Sequence, residues 1–428
     1  MSRIYISELS SIDDGGEVEI AGWVHDVRKL KNVAFVLVRD RTGIVQATLK
    51  LENNSMREMV EELTRESVIK ISGTLNKHSQ AKSGIEVQVI ELVLLNRSLT
   101  PLPLGIVDPV EADFETRFNN RFLDLRKPER LRIFQVESSL LWGIRKFLNS
   151  EGFIEVHTPK IVASATEGGA DLFSMQYFEK KAFLNQSPQL YKEMLMSAGF
   201  EKVFEVGPAF RAEEHNTPRH LNEFTSIDIE MSFSNHEDAM KMLERSVKAG
   251  IGSVISMEAS GDAESVKIEV PEIPFPRISY LECIDYLQSR GEKMNFGSDF
   301  NPEQLKIIGE KFRSFYFITD WPAEVRAFYT MPKSEDPLLT NSFDLQYKDK
   351  EITSGAQRIH EPELLEKRLI EKGLNPADFE FHLKTFRYGM PPHAGWGLGL
   401  ERLTMILLNL QNIRETSLFP RDRTRIVP

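Results

Sequence analysis

The first hundred residues alternate between apolar and polar positions in five short runs. EVEIAGWV (17–24), VAFVLVRD (33–40) and IVQATLK (44–50) are rich in β-branched and aromatic residues and are separated by polar or Gly-containing turns, the pattern of half-buried strands. SMREMVEELTRES (55–67) changes period, with Met56, Met59, Val60 and Leu63 at helical spacing. VIKISGTLN (68–76) and GIEVQVIELVLLN (84–96) return to the strand period. Three strands, a helix and two strands is the order of an OB-fold barrel, which commonly binds single-stranded nucleic acid. Another small β-barrel would fit the same alternation.

Residues 99–112, LTPLPLGIVDPVEA, hold three prolines and no clear period, the composition of a semi-rigid linker. RKPERLRIFQVESSLLWGIRKFLNSEG then predicts a long helix, with Pro128 suited to its first turn and Gly152 to its stop. Phe134, Glu137, Leu141, Ile144 and Leu148 trace its expected stripe. Beyond it, strands and helices mix without the regular βαβ rhythm or Gly-rich turn of a dinucleotide-binding domain. The expected fold class is α+β. It comprises a five-stranded barrel over 1–104, a hinge or linker over 105–130, and a domain over 131–428 on an antiparallel sheet flanked by helices. Residues about 236–320 read as helical decoration.

Charge narrows the function. The 428 residues carry a net −11, which argues against a protein that coats DNA or RNA by bulk attraction. Residues 1–100 carry 13 Lys+Arg and 14 Asp+Glu, a net of −1, so the remaining 328 carry −10. The N-terminal region is the less repulsive surface for a phosphate backbone. The single cysteine, Cys283, excludes an intramolecular disulfide and reads as a buried small hydrophobe, pointing to a reducing cytoplasm. No apolar run approaches the roughly 18–20 residues of a membrane span. The N-terminus reads as lacking a signal peptide.

Three motifs carry chemistry, the first of them a pair of strands. In VFEVGPAF (203–210), alternation puts Phe204, Val206 and Phe210 on one face and Glu205, Gly207 and Arg211 on the other. In FTSIDIEM (224–231), Ile227, Ile229 and Met231 share a face, and Ser226, Asp228 and Glu230 share the opposite one. A solvated hairpin face explains this alternation. It does not explain a lone Arg211 followed by a loop holding His215, Arg219 and His220. In GWGLGLERLTMILL (395–408), glycines 395, 397 and 399 leave one strand face bare, so a flat ligand could lie on the backbone. Arg402 follows in the first helical turn, where it would meet a polyanion. EGFIEVHTPKI (151–161) is weaker: a helix, a Gly stop and a strand ending in Pro159.

Together these segments resemble the ordered motif set of class II aminoacyl-tRNA synthetases: a strand ending in proline, a strand–loop–strand beginning at Arg211, and a Gly-alternating strand ending in Arg402. The resemblance extends over the whole chain, through the closing LFPRDRTRIVP. Within the subgroup with an N-terminal OB-fold, the chain resembles aspartyl enzymes of the archaeal/eukaryotic branch. SATEGGADLF (164–173), NQSPQLYKEMLM (185–196) and EITSGAQR (351–358) carry that likeness.

The resemblance implies ATP, L-aspartate and tRNA(Asp) as substrates, Mg²⁺ as cofactor, and a homodimer. It places Arg211 and Arg402 in catalysis. Arg211, Glu213, Arg219, His220, Leu221, Phe224, Glu351, Gly399 and Arg402 are implied at ATP. Glu167, Ser187, Gln189, Lys192, Asp228, Ser354 and Arg358 are implied at aspartate. Lys192 and Arg358 would meet the substrate's side-chain carboxylate, and Glu167 and Asp228 its ammonium. An amide substrate would then leave two partly buried cations without a counter-ion. Asp344 and Glu351, seven apart, share a face if Asp349-Lys350 makes the hairpin turn, and with Ser354 they suit Mg²⁺ bridging phosphates.

On the barrel, Phe35 and Gln46 match anticodon-contacting positions of the family, with Arg28 and Glu86 as weaker candidates. The residue after Gly-Trp-Val tends in these relatives to be Trp in enzymes strict for tRNA(Asp) and His in relaxed ones. Here it is His25, which points to charging of tRNA(Asn) as well. Lys82 aligns with a lysine of strict enzymes, so the signals are mixed. An asparaginyl-tRNA synthetase and an ammonia-dependent asparagine synthetase are the rival readings. Lys192 with Arg358 argues against the first, and the N-terminal barrel against the second.

Overall fold

Strand pairing in the first hundred residues follows the predicted order. The computed structural model describes residues 2–52, 54–77, 81, 84–107, 111–163, 172–214, 217–259 and 269–428. The chain divides into two units, Met1–Pro128 and Glu129–Pro428. In the first, β1 (Glu17–Lys29), β2 (Val33–Arg39), β3 (Ile44–Lys50), α1 (Asn54–Glu62), β4 (Val68–Asn76) and β5 (Glu86–Asn96) succeed one another. Val18, Ile20, Val24, Ala34, Val36, Val38, Ala47 and Leu49 alternate inward and are buried.

The expected barrel needs a correction. Pairing runs β1-β2-β3-β5-β4 and returns to β1, but the β3–β5 seam is parallel and spans only Gln46–Glu86, Ala47–Val87 and Thr48–Gln88. β3 has seven residues, and most of β5 is committed to β4. The ring therefore closes only through this one short parallel seam. Residues 105–130 also carry more structure than a linker. α2 (Phe114–Asn119) and α3 (Arg121–Asp124) bury Arg117 and Arg121 against Asp124.

The second unit opens with α4 (Pro128–Ser150), ended by Gly152 at φ 84°. Its buried stripe is Ile133, Val136, Leu140, Ile144 and Leu148, so the predicted Phe134, Glu137 and Leu141 flank the core instead of forming it. Then come β6 (Ile154–Glu155), β7 (Ile161–Val162), β8 (Ser174–Tyr177), β9 (Lys180–Leu184), α5 (Gln189–Ser197), β10 (Lys202–Phe210) and β11 (Glu223–Ser232). α6 (His236–Ala259), β12 (Arg277–Ser279), α7 (Tyr280–Ser289), α8 (Pro302–Gly309) and β13 (Phe315–Thr319) follow. The unit ends with β14 (Ser342–Tyr347), β15 (Lys350–Arg358), α9 (Pro362–Glu371), α10 (Glu380–Arg387), β16 (His393–Gly399) and α11 (Leu400–Leu407).

Eight strands form one sheet, β12-β13-β14-β15-β16-β11-β10-β6, and β7-β9-β8 form a smaller one. The large sheet is antiparallel at its centre but parallel at both edges, β6 with β10 and β12 with β13, which corrects the expected antiparallel plan. The strand before Pro159 is only Ile154–Glu155. Thr158 and Lys160, flanking the proline, hydrogen-bond Glu205 of β10. α6 is no decoration. Its Ala239, Met240, Leu243, Val247, Ile251 and Val254 share the main core with Phe204, Ile227, Ile229 and Trp396. No described helix is long and apolar enough to cross a membrane.

α4 and α6 cross closely at Gly143 and Gly250. A Cβ on Gly143 would lie 2.6 Å from Ser253 Cβ and 2.8 Å from the Ala249 carbonyl oxygen. Helix propensity favours alanine over glycine by about 1 kcal/mol. Overpacking of a fixed contact costs about 1–3 kcal/mol, so the clash should win at Gly143. Gly252 of α6 has open space around its Cβ direction. Gly143→Ala should therefore lower, and Gly252→Ala raise, the urea midpoint. Two shifts of the same sign would show that the crossing has room to spare.

Candidate active site

The central strands place the chemistry by register. Asp228 of β11 lies opposite Gly397 of β16, and Gly397 opposite Ser354 of β15; Ser226 and Glu230 face Gly399 and Gly395. The apolar face of the same strands fills the core, so the polar face is turned into a cavity of about 260 Å³. Predicted residues Ser187, Gln189, Arg211, Glu213, Arg219, His220 and Leu221 line it. So do Phe224, Asp228, Glu351, Ser354, Arg358, Gly399 and Arg402. Lys192 and Asp344 are buried and do not line it. Glu167 lies outside the described residues, as does Lys82.

One end of the cavity is a balanced charge cluster. Lys192 Nζ donates to Asp228 Oδ1 at 3.0 Å and lies 3.4 Å from Glu230 Oε2. Arg358 Nε donates to Glu230 Oε1 at 3.1 Å. Two of the alternating glycines make room for these acids. A Cβ on Gly395 would strike the Glu230 carboxylate and the Ile229 carbonyl oxygen, and one on Gly397 would meet Asp228 Oδ1 at 3.0 Å. The bare strand face thus holds carboxylates at these two positions. Glu230 was visible in the alternation on the Asp228 face, but its two cations come from distant segments. The expectation that an amide ligand would strand two uncompensated cations is corrected accordingly, because Asp228 and Glu230 already neutralise them.

The other end suits a polyanion. Arg211 stacks its guanidinium 5.5 Å from the Phe224 ring centroid. Asn222 braces the Arg211 backbone in both directions, and its own N–H donates to the Arg421 carbonyl near the chain's end. Arg402 Nη1 donates to the Glu351 carbonyl oxygen at 3.3 Å, and Arg219 pairs with Asp349 at 2.9 Å. Burial lowers the His220 pKa; Glu213 opposes the fall, and Arg402, Arg211 and Arg219 add to it.

Asp344 and Ser354 are register partners, as are Gln346 and Glu351. The hairpin turn is Lys348-Asp349, with Lys348 at φ 54°, one residue earlier than expected, and a bulge after Leu345 keeps the carboxylates on one face. Arg326, which no sequence period announces, donates to Asp344 Oδ2 at 2.6 Å and to Ser354 Oγ at 3.0 Å. Asp344 Oδ1 is buried with no hydrogen-bond partner among the described residues. Burial raises the Asp344 carboxyl to about 6 against the pull of Arg326, and Glu351 adds to the rise. Hard oxygens and an orphaned carboxylate atom fit Mg²⁺. Among the described residues, however, no cluster of three or more His, Cys, Asp or Glu side chains could hold a metal alone.

On the first unit, Phe35 is half-buried and points away from the barrel core that its neighbours Ala34 and Val36 fill. It pairs across β1 with the exposed Arg28 and across β3 with Thr48. Gln46 Nε2 donates to Glu86 Oε2 at 3.1 Å, so two predicted residues touch on the same outer face. His25 is the extra residue of a bulge between Val24 and Asp26. Its Nδ1 meets Arg39 Nη1 at 3.1 Å, and Arg39 forks onto the buried Glu66. Burial first, then Arg39, lowers the His25 pKa.

Residues 113–423 match the family described as tRNA synthetases class II (D, K and N). The chain belongs to that family. Residues 18–95 match the OB-fold nucleic acid binding domain. A Thermoplasma volcanium protein named aspartate–tRNA(Asp) ligase is 63% identical over 100% of both chains. An Archaeoglobus fulgidus protein named aspartate–tRNA(Asp/Asn) ligase is 49% identical, again over 100% of both. The crystal structure of asparaginyl-tRNA synthetase from Pyrococcus horikoshii, complexed with asparaginyl-adenylate, superposes with a TM-score of 0.93 at 34% identity over 100% of each chain.

Glu401 of the cavity wall and Glu137 of α4 form a second pair of acids, a pairing that the sequence did not show. Glu401 accepts from the Thr225 N–H, and burial raises its carboxyl to about 7. Glu137 of α4 is raised to about 8 by burial and then by Glu401. A carboxyl raised by folding keeps its proton in the folded chain where the unfolded chain has lost it. Its contribution is full below pH 4.5 and lost as pH rises through about 8. Glu137→Gln keeps the shape and cannot ionise. It should raise Tm at pH 8 by a few degrees, and the gain should shrink towards about pH 5. A gain independent of pH would mean that the fold does not keep Glu137 neutral.

Proposed function

We infer that the chain is an aspartate–tRNA ligase that activates L-aspartate with ATP and esterifies tRNA(Asp). The observation that carries this reading is one cavity with a charge-paired amino-acid end, where Arg358 and Asp228 face the ligand, and a cationic end at Arg211, Arg219, His220 and Arg402. The names of the relatives agree on aspartate.

The aspartate α-carboxylate attacks the α-phosphorus of ATP in line, and pyrophosphate leaves. The tRNA 3′-terminal ribose hydroxyl then takes the aspartyl group. A carboxylate is already a nucleophile at neutral pH, so catalysis is positioning and charge stabilisation. Arg211 binds the α-phosphate, Glu213 orients ATP, and Phe224 stacks on adenine under the Arg211 guanidinium. His220 and Arg402 hold the γ-phosphate end, with Arg219 beside them. Leu221 and Gly399 shape the nucleotide wall. Asp228 and Glu167 receive the ammonium, with Ser187 and Gln189 beside them. Arg358 has Nη1 left for the side-chain carboxylate, since Nε and Nη2 serve Glu230. Asp344, Glu351 and Ser354 would hold Mg²⁺, which neutralises phosphate charge when it arrives with ATP.

Two further parts belong to this reading. The chain works as a homodimer through the outer face of α4, where Leu131, Phe134 and Trp142 flank one apolar depression and Trp142 is 65% exposed. It works in the cytoplasm, where its three substrates meet. ATP–pyrophosphate exchange with aspartate, asparagine and lysine offered separately tests the core of the proposal. Aspartate alone should support it, and comparable exchange with asparagine would instead favour the amide enzyme.

The outer face of β1, β2 and β3 reads the anticodon, Phe35 stacking on a base and Gln46 and Glu86 addressing an edge. Phe35→Ala should cut tRNA charging at least tenfold, about what one lost base stack is worth, and leave exchange intact. An equal fall in both would make Phe35 structural.

A second reading adds tRNA(Asn). Arg39 can only donate, so His25 Nδ1 accepts and Nε2 carries the proton. A ring offering a donor suits the uracil O4 of an asparagine anticodon, where cytosine has an amino group. The more similar Thermoplasma relative, named for tRNA(Asp) alone, favours strictness, and we take the strict reading as primary. Charging of a tRNA(Asn) transcript decides between them. A rate near that of tRNA(Asp), made strict by His25→Trp, would establish the relaxed enzyme.

A further inference from the structure

Glu193 has no task in the reaction, yet it is wholly buried within reach of the cavity. It lies on α5 one turn beyond Gln189 and does not itself line the cavity, whereas Gln189 does. Glu193 Oε1 accepts a hydrogen bond from Gln189 Nε2. Its Oε2 takes the His382 Nε2 at 3.1 Å and lies 3.8 Å from His393 Nε2. His393 is fixed in turn, its Nδ1 donating to the Pro391 carbonyl at 2.8 Å. All three side chains are fully buried.

A carboxylate can only accept. An amide facing one must turn its nitrogen towards it and carry its oxygen on the other side. Burial alone would raise the Glu193 carboxyl. The hydrogen bond from His382, with the His393 ring 3.8 Å away, outweighs it and holds the group below the usual carboxylate range, so it remains an acceptor at neutral pH. A flipped Gln189 would set oxygen against carboxylate in the buried interior, and would show an amino group to the ligand.

We propose that Glu193 is a positioning residue which, held by His382 and His393, locks the Gln189 amide with its oxygen towards the amino-acid cavity, where that oxygen receives the substrate's α-ammonium. The proposal rests on reading the cavity as the aspartate site. Gln189 then works as an acceptor only, adding to Asp228, and the lock prevents it from serving either carboxylate of the ligand.

The test is steady-state ATP–pyrophosphate exchange by the full-length enzyme and Glu193→Gln, whose amide no longer dictates which way Gln189 turns. The KM for aspartate should rise roughly tenfold, the worth of one charge-assisted hydrogen bond, with kcat and the KM for ATP within about twofold. Succinate keeps both carboxylates and lacks the ammonium, so its inhibition constant should not move. Gln189→Glu combined with Glu193→Gln reverses the pair and again presents an acceptor oxygen, and it should recover most of the aspartate KM. An unchanged aspartate KM in Glu193→Gln overturns the proposal. So does a loss shared equally by ATP, aspartate and succinate, which marks a structural role. If Glu193→Gln does not fold, Gln189→Met serves, since it removes the acceptor within the same volume. It should raise the aspartate KM and spare succinate, and an unchanged aspartate KM there overturns the proposal as well. Absence of aspartate-dependent exchange in the unsubstituted enzyme would overturn the aspartate reading itself.

Discussion

Two neighbouring carboxylates buried in the middle of a sheet impose the rest of this site. Asp228 and Glu230 stand on one face of β11 and are 3% and 0% exposed. An unpaired buried charge costs several kcal/mol, so each must have a cation and the space to reach it. β16 supplies the space by giving up side chains at Gly395 and Gly397. α5 supplies Lys192 and β15 supplies Arg358. The glycine alternation, a lysine facing inward on a helix and an arginine at a strand's end are thus three consequences of one requirement. Removing any one member strands the others, because the cluster balances only as a set.

This interdependence explains what the sequence made legible. Alternation in 203–210 and 224–231 assigned the correct faces, since a strand's two sides are written in its own residues. It put Glu230 beside Asp228 but could not name Glu230's partners, which lie 38 residues upstream at Lys192 and 128 residues downstream at Arg358. The sequence of α6 reads as decoration because a helix's apolar stripe does not say which surface covers it. The strands β6 and β12 have two and three residues, too few for any period. Arg326 sits in a stretch with no period at all. The likeness to a family supplied most of the site residues. The residues' own chemistry then corrected how Lys192, and the bare strand face at Gly395, are used.

The site's acids fall into three states set by environment alone. Asp228 and Glu230 have cations within hydrogen-bonding reach. Glu137 and Glu401, which lack a cation, are raised by burial to about 8 and about 7. Asp344 lies between, at about 6, because Arg326 answers only one of its two oxygens. The same residue types therefore serve as counter-ion, as a carboxyl raised by burial without a cation, and as one answered on a single oxygen. Glu193 adds a fourth use, an acceptor kept ionised by the hydrogen bond from His382, with His393 nearby, so that its neighbour's amide cannot turn.

With the cations already neutralised, preference for aspartate over asparagine must arise from hydrogen-bond polarity more than from net charge. Arg358 carries five N–H donors and no acceptor, and its Nε and Nη2 are committed to Glu230. The nitrogen that remains can be answered by either oxygen of a carboxylate. An amide answers with one oxygen, and its amino group then points a donor at donors, which leaves buried groups unpaired. Gln189, held as an acceptor, works in the opposite sense at the ammonium. The consequence for Lys192 is specific. It lies behind Asp228 and contacts both carboxylates of the cluster. Its replacement by an acid would put three carboxylates together in the interior, and the first effect would be on folding. Lys192 is thus a poor probe of substrate choice, whereas Arg358 reaches the cavity and is the better one; Gln189, turned to the ammonium that aspartate and asparagine share, sets affinity for both alike.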